Sequence, residues 1–309
     1  MKEIKRVHGE KLLAAIESEK MPTIDVPRLK EAFSVYEKWS NAIYSIDAEN
    51  FRDFLIAMVN KLNEYKFYID VNIIFDSPED FLYRQKGQLK LDNTILEEFL
   101  PVFVRRCVEK KIGDIDLLIE AQSAIFSSVY FASSISTPGI GGGISIKTKD
   151  QDFSMSRPLY LMSSYDPNFA TANTTKLKTY LGYVLAELKT NLDKTMFQEA
   201  SATAHDVKQA VTGAKYYLLC DFLDMTPIST TTTDIDEILI LRKAKRINSS
   251  IRKNYATYKG RQSGRNEFID YLKAHPYQPD IFNRFIDHVV SQIQNEDLVE
   301  KSILEMGYF

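Results

Sequence analysis

The chain has 309 residues, 44% of them hydrophobic and 26% charged, with a formal net charge of −3. That composition can bury a sizeable core, and no apolar run reaches the roughly 18 residues that a membrane-spanning helix requires. The opening MKEIKRVHGEKLLAAIE has no apolar signal region, and two cysteines (Cys107, Cys220) and four scattered histidines (His8, His205, His275, His288) give neither a disulfide framework nor zinc spacing.

Taken in order, residues 1–125 read as mostly helical. RLKEAFSVYEKWSNAI (28–43) carries Leu29, Ala32, Phe33, Val35, Tyr36 and Trp39 at helical spacing. SPED (77–80) reads as a helix start, with Ser77 as N-cap and Pro78 in the first turn. NTILEEFLPVFVRRCVEKK (93–111) is a second amphipathic helix with a bend expected at Pro101, and IDLLIEAQSAIFSSVYFA (115–132) is a third, more buried one. The texture then changes. SSISTPGIGGG (133–143) is a turn-rich breaker. ISIKTK (144–149) and DFSMSRPLYLMSS (152–164) read as extended, and YDPN (165–168) as a turn. LKTYLGYVLAELKT (177–190) is a strand apolar on both faces and so central in its sheet. A helix over 194–211, strands over 214–223 and 237–244, and a helical tail over 266–309 complete the chain. A strand–helix–strand unit at 177–223 implies a parallel crossover in a mixed sheet.

Glu187 and Lys189 lie two apart on the central strand, so both side chains project from one face. A carboxylate at the end of such a strand can hold Mg²⁺, which takes oxygen ligands and keeps several waters. An adjacent ammonium can orient a water and offset phosphate charge. A second carboxylate is needed. If 152–164 pairs antiparallel with 177–190 around the YDPN connection, Asp152 falls opposite Glu187, with Asp150 close by. Asp152 ranks first, Asp150 second, and Asp166, which belongs to turn chemistry, third. Glu120, placed on the 115–132 helix, is a further candidate for a water-mediated metal contact. The tripeptide pattern occurs by chance in most chains of this length; its place at the end of a buried strand is what gives it meaning. Gln122 and Gln198 are weaker candidates for hydrogen bonds near the site, and His205-Asp206 reads as a helix-surface pair.

LRKAKRINSSIRKNYATYKGRQSGR (241–265) holds Arg242, Lys243, Lys245, Arg246, Arg252, Lys253, Lys259, Arg261 and Arg265 and no Asp or Glu. A cluster of that kind attracts phosphate backbones through Coulomb forces and counterion release. GIGGG (139–143) has no following Lys-Ser/Thr, so it is a flexible turn and no nucleotide-binding loop.

IKTKDQDFSMSRPLYLMSS, AELKTNLDKTMFQEASATAHDVK, AKYYLLCDFLDMTPIS and TDIDEILILRKAKR together resemble the Bpu-ten-I group of type II restriction endonucleases, over about residues 120–250. The resemblance implies an α/β (α+β) fold: a PD-(D/E)xK restriction-endonuclease-like mixed sheet flanked by helices, with helical N-terminal and C-terminal regions. It implies Mg²⁺-dependent cleavage of double-stranded DNA at a short interrupted site, leaving 5′-phosphate ends, by a homodimer or a heterodimer with a related subunit in a prokaryotic cytoplasm. Glu187 and Lys189 match the ExK pair, and neither Asp150 nor Asp152 follows a proline, so the upstream aspartate stays open between them. In that reading Asp152 and Glu187 bind the metal with the Leu188 carbonyl as third ligand, and Lys189 orients the water and, where its pKa is lowered, takes its proton. The expected organisation is 1–114 for DNA recognition or dimerisation, 115–245 for the catalytic core, and 246–309 for the basic segment and C-terminal helices. A structure-selective repair or recombination nuclease and a non-catalytic DNA-binding subunit are the alternative functions.

Overall fold

A computed structural model describes residues 5–294, 304–305 and 307. Five helices come first: α1 (Val7–Glu17), α2 (Asp25–Ser45), α3 (Phe51–Phe67), α4 (Asp80–Leu89) and α5 (Thr94–Ile112), with a π-helical turn, Tyr68–Phe75, extending α3. The strands are β1 (Leu118–Phe131), β2 (Ile144–Ser164) and β3 (Thr174–Leu192). Helix α6 (Lys194–Ala210) follows, then β4 (Lys215–Leu223), β5 (Glu237–Lys245) and helices α7 (Ser249–Asn254), α8 (Tyr258–Ser263), α9 (Arg265–Ala274) and α10 (Pro279–Gln294). The expected tail helix beyond residue 294 falls largely outside the described residues.

The five strands form one sheet in the order β1-β2-β3-β4-β5. The first three pair antiparallel, and β3-β4-β5 pair parallel. The crossover expected over 177–223 is therefore present, with α6 between the parallel strands β3 and β4. Asp193 caps α6, its carboxylate accepting the Met196 amide at 2.9 Å. Because side chains alternate along β3, its two faces serve two cores. Val184, Ala186 and Leu188 pack with α5, α10 and the other N-terminal helices, while Leu185 packs with α6. The helices before β1 and the last long helix thus share one hydrophobic core on one face of the sheet.

Three expectations need correction. Residues 115–132 hold strand β1, whose burial alternates from Ile119 to Ser127 with period two. Glu, Ala and Gln favour a helix, but pairing with β2 overrides that local preference. The two extended segments either side of residue 150 are one 21-residue strand. Helix α4 starts at Asp80 with Glu79 as its N-cap. Ser77 turns instead to the buried Asp25 carboxylate, at 2.9 and 3.1 Å.

Candidate active site

The β2-β3 register pairs Phe153 with Ala186 and Ser154 with Leu185, so Asp152 lies alongside Glu187. Asp152, Glu187 and Lys189 fall on the face shared with α6. The Leu188 amide donates to Asp152 Oδ2 at 2.8 Å across the two strands. In an extended strand the N–H and C=O of one residue leave by the same edge, so the Leu188 carbonyl is on the edge facing Asp152. Lys189 Nζ donates to Glu187 Oε1 at 2.7 Å, and the buried Tyr216 hydroxyl on β4 reaches Glu187 Oε2 at 3.3 Å.

Burial pushes the Asp152 carboxyl up to about 7, and the neighbouring Glu187 and Glu97 charges add to the rise. The Leu188 amide and Lys189 oppose it only in part. Burial alone would lower Lys189, but its ion pair and hydrogen bond with Glu187, together with Asp152, outweigh it and hold the ammonium above its ordinary pKa. The condition attached to proton transfer, a lowered Lys189 pKa, is not met in this environment, which favours the ammonium. Tyr216 is held neutral, chiefly by burial.

Glu97 is a carboxylate near enough to raise Asp152 that sequence reasoning missed. It is fully buried on α5, accepting from Asn93 Nδ2 at 2.8 Å and from Gln122 Nε2 at 2.8 Å. Its signal was present: two carboxylates, Glu97 and Glu98, interrupt the apolar run ILEEFLPVFV. Glu98 is structural, accepting from the His8 amide and the Tyr36 hydroxyl, both at 2.8 Å. Gln122 sits on β1 at a break in the ladder, between Ala121↔Phe153 and Ser123↔Gln151, with a left-handed φ of 49°. A glutamine in that conformation is strained, and such residues gather at functional sites. Its Oε1 also accepts from Lys5 Nζ at 3.2 Å.

Other candidates are placed elsewhere. Glu120 lies on β1 opposite Ser154, exposed, rather than on a helix. Asp150 is exposed and pairs with Ala124. Asp166 accepts the Asn168 and Ala170 amides of its turn at 2.9 and 3.1 Å. His205 bonds Asp234, and Asp206 bonds Lys149. Among the described residues no three His, Cys, Asp or Glu side chains form a ready metal cage. The donors at hand are two strand carboxylates and one backbone carbonyl, all oxygen. That set suits a hard cation that keeps several waters, and a bound cation would offset the burial and the Glu187 and Glu97 charges that raise the Asp152 carboxyl.

The basic segment is neutralised in space by carboxylates distant in sequence. Arg242 and Arg261 are buried, which corrects their expected place against DNA. Arg261 bonds the Phe75, Ser77 and Glu79 carbonyls, each at 2.9 Å, and Arg242 bonds the His275 carbonyl at 2.8 Å. Lys243 pairs with Asp280, Arg246 and Arg252 with Asp224, and Arg265 with Asp76. Lys245, Lys253 and Lys259 remain exposed. Arg246 and Arg252, with Lys86, line a cavity of about 220 Å³ that Thr190 and Asn191, the two residues after Lys189, also border.

No helix among the described residues is long and apolar enough to cross a membrane. Comparison with curated proteins gives no match. Among solved structures, the native BbvCI A2B2 tetramer has a chain that superposes with a TM-score of 0.53 at 18% identity, covering 87% of this chain and 88% of that one. This likeness is one of fold: a mixed sheet with helices, similar to a restriction enzyme's. The family model described as Bpu10I restriction endonuclease, the Bpu-ten-I group met in the sequence, matches residues 88–309. That span takes in α5 with Glu97, all five strands and the C-terminal helices, and the chain therefore belongs to the Bpu10I restriction endonuclease family.

Proposed function

We propose that the chain is a type II restriction endonuclease that hydrolyses phosphodiester bonds of double-stranded DNA at the Asp152/Glu187/Lys189 site with Mg²⁺. One observation carries the reading: the Leu188 amide bound to Asp152, which fixes that aspartate beside the Glu187-Leu188-Lys189 tripeptide. Asp152, Glu187 and the Leu188 carbonyl would hold the metal, and Glu97 adds a further carboxylate close enough to act on Asp152. Bound Mg²⁺ would supply positive charge to the phosphate and the departing 3′-oxygen. Lys189, an ammonium paired with Glu187, orients the attacking water and offsets charge on the phosphate. Water adds to phosphorus, the P–O3′ bond breaks, and the water's protons go to the 3′-oxygen and to solvent, leaving 5′-phosphate and 3′-hydroxyl ends. Lys245, Lys253 and Lys259, exposed cations of the basic segment, suit the flanking phosphates. Assembly as a homodimer, or with a related subunit, would bring one such site to each strand.

Purified chain incubated with plasmid DNA and Mg²⁺ is expected to give discrete fragments whose ends map to one short sequence. Glu187→Ala and Lys189→Ala are expected to lose that cleavage while DNA binding in Ca²⁺ persists. Nicking of one strand only would point to a missing related subunit, and cutting that requires a junction or nick would favour repair. Binding without Mg²⁺-stimulated cleavage would sink the catalytic reading in favour of a non-catalytic subunit.

Gln122 gives a separate test. Gln122→Gly relieves the positive-φ strain while losing the bond that aims Glu97. Strain relief and the entropic cost of glycine are each about 1 kcal/mol, so the melting temperature should hardly move. The cleavage rate at limiting Mg²⁺ is expected to fall on the order of 10-fold, a typical effect of losing a group that orients a metal-site residue. An unchanged Mg²⁺ dependence would remove Gln122 and Glu97 from the site.

A further inference from the structure

Between Glu120 and Lys147 the chain has no Asp, Glu, Lys or Arg, and between Arg157 and Lys176 it has only Asp166. The fold brings these two charge-poor segments together at one end of the sheet. The Tyr165 hydroxyl meets Ser133 Oγ at 2.9 Å, and Thr175 Oγ1 donates to the Ile140 carbonyl at 3.0 Å. At Gly141, with φ +59°, a side chain would run into the Ser163 carbonyl at 2.5 Å. The two loops therefore seat on each other through a position that only glycine fills.

This end of the molecule is built, and it is apolar on the outside. Tyr130, Phe131, Ile135, Ile140, Tyr165 and Phe169 are each at least half exposed, Ile135 completely. At about 200 Å² for a whole large side chain, the six expose roughly 800 Å², the area that one partner contributes to a stable protein–protein interface. So much exposed apolar area gathered on the loops at one end is uncommon on a monomer, and loss of charge with gain of aromatics marks the core of an interface. DNA is a poor occupant, because the patch itself carries no cation to meet phosphate. A second copy meets little like charge when the same patch faces itself across a two-fold axis, because Asp166, the one charge in these segments, is turned onto the Asn168 and Ala170 amides of its own turn. Lys176 and Lys178, paired across the ladder with Met162 and Tyr160, supply a polar rim.

We infer that this charge-poor end, formed by loop 132–143 and hairpin tip 165–173, is the surface through which two copies of this chain associate. The inference names a surface for the subunit assembly proposed above and uses nothing of the cleavage chemistry. Sedimentation velocity of the full chain, without DNA or metal, is expected to give the mass of two chains at concentrations on the order of 10 μM, within the range of stable interfaces. Phe131→Glu/Ile135→Glu is expected to give the mass of one chain, with the circular dichroism of the folded protein kept. A single-chain mass for the wild type, or a two-chain mass for the double variant, would overturn it. If the variant does not fold, amide hydrogen exchange of the wild type decides. Protection of 130–143 that grows with protein concentration supports the contact, whereas protection appearing only with added DNA or lipid overturns it. Because mass is read without substrate, a dimer that fails to cut DNA would sink the nuclease reading and leave this surface standing.

Discussion

Asp152→Asn is expected to reduce Mg²⁺-dependent DNA cleavage at least about a thousandfold, a loss typical of removing a principal electrostatic group from a site, while making the metal-free protein more stable above neutral pH. The second effect follows from the pKa. The Asp152 carboxyl titrates near 7 in the fold, against an ordinary value of 3.8, because it is buried beside Glu187 and Glu97. The folded state therefore holds this proton more tightly than the unfolded chain does. Below about pH 4 both states are protonated and the group is neutral toward stability. As pH rises from there through 7, the unfolded chain releases its proton first and the fold loses stability; above 7 the whole penalty stands. Three pH units would be about 4 kcal/mol, and because the residue is partly open to solvent about 1–3 kcal/mol is expected. Asparagine keeps an acceptor for the Leu188 amide and carries no charge. Its unfolding free energy should exceed the wild type's at pH 8, match it at pH 4, and show a flatter slope between.

A cation would reverse this balance, since it binds the deprotonated form and must displace the proton. Mg²⁺ protection against unfolding in the wild type is therefore expected to strengthen as pH rises through 7, and to vanish in Asp152→Asn. Asp150→Asn is the matched control. It is exposed on the neighbouring stretch of β2 and is expected to change stability by less than about 0.5 kcal/mol, as surface substitutions do, with cleavage close to wild type. A loss of cleavage in Asp150→Asn with none in Asp152→Asn would transfer the metal site one alternation along the strand.

The parts of this fold that were legible in the sequence are those where local pattern and long-range pairing agree. The run YLGYVLAELKT is apolar on both faces because β3 lies between β2 and β4, with helices on either side. A hairpin about the YDPN connection places Asp152 near Glu187, and a bulge between Met155 and Ser156 shifts the β2-β3 ladder by the one residue that sets them side by side. Strand β1 was not legible, because IEAQSA is good helix sequence and only its partner strand makes the alternation decisive. Glu97 was hidden for a related reason. It approaches Asp152 from a helix that ends before the sheet begins, and its partner Gln122 takes a positive φ that no periodicity announces. The basic segment misled in a different way. Nine cations without an acid nearby in sequence look like a phosphate surface, yet Asp76, Asp80, Asp224 and Asp280 arrive from other elements and claim most of them. Charge runs report what is absent along the chain and are silent about what folds against it.

Arg261 separates those two readings of the basic segment most sharply. Its guanidinium is 1% exposed. It donates to the carbonyls of Phe75, Ser77, Glu79 and Tyr255 and pairs with Asp80 at 3.3 Å, tying helix α8 to the turn that leads into α4. Arg265 closes the same turn through Asp76, at 2.7 and 2.8 Å, and Phe75 stacks on Phe268 with ring centroids 4.1 Å apart. Alanine at 261 would strand the buried Phe75, Ser77 and Tyr255 carbonyls and open a cavity, so a loss of about 3–5 kcal/mol is expected in urea unfolding. Lysine would keep the charge but cannot fork to four acceptors, and is expected to recover less than half of that loss. Lys253→Ala and Lys259→Ala, at exposed positions of the same segment, are expected to leave the unfolding midpoint in place. Each should instead lower the salt dependence of DNA binding by about one unit in the log–log slope, if it neutralises one phosphate. Were Arg261→Ala to keep full stability and change only that slope, Arg261 would be a DNA contact and its burial would misrepresent the bound state.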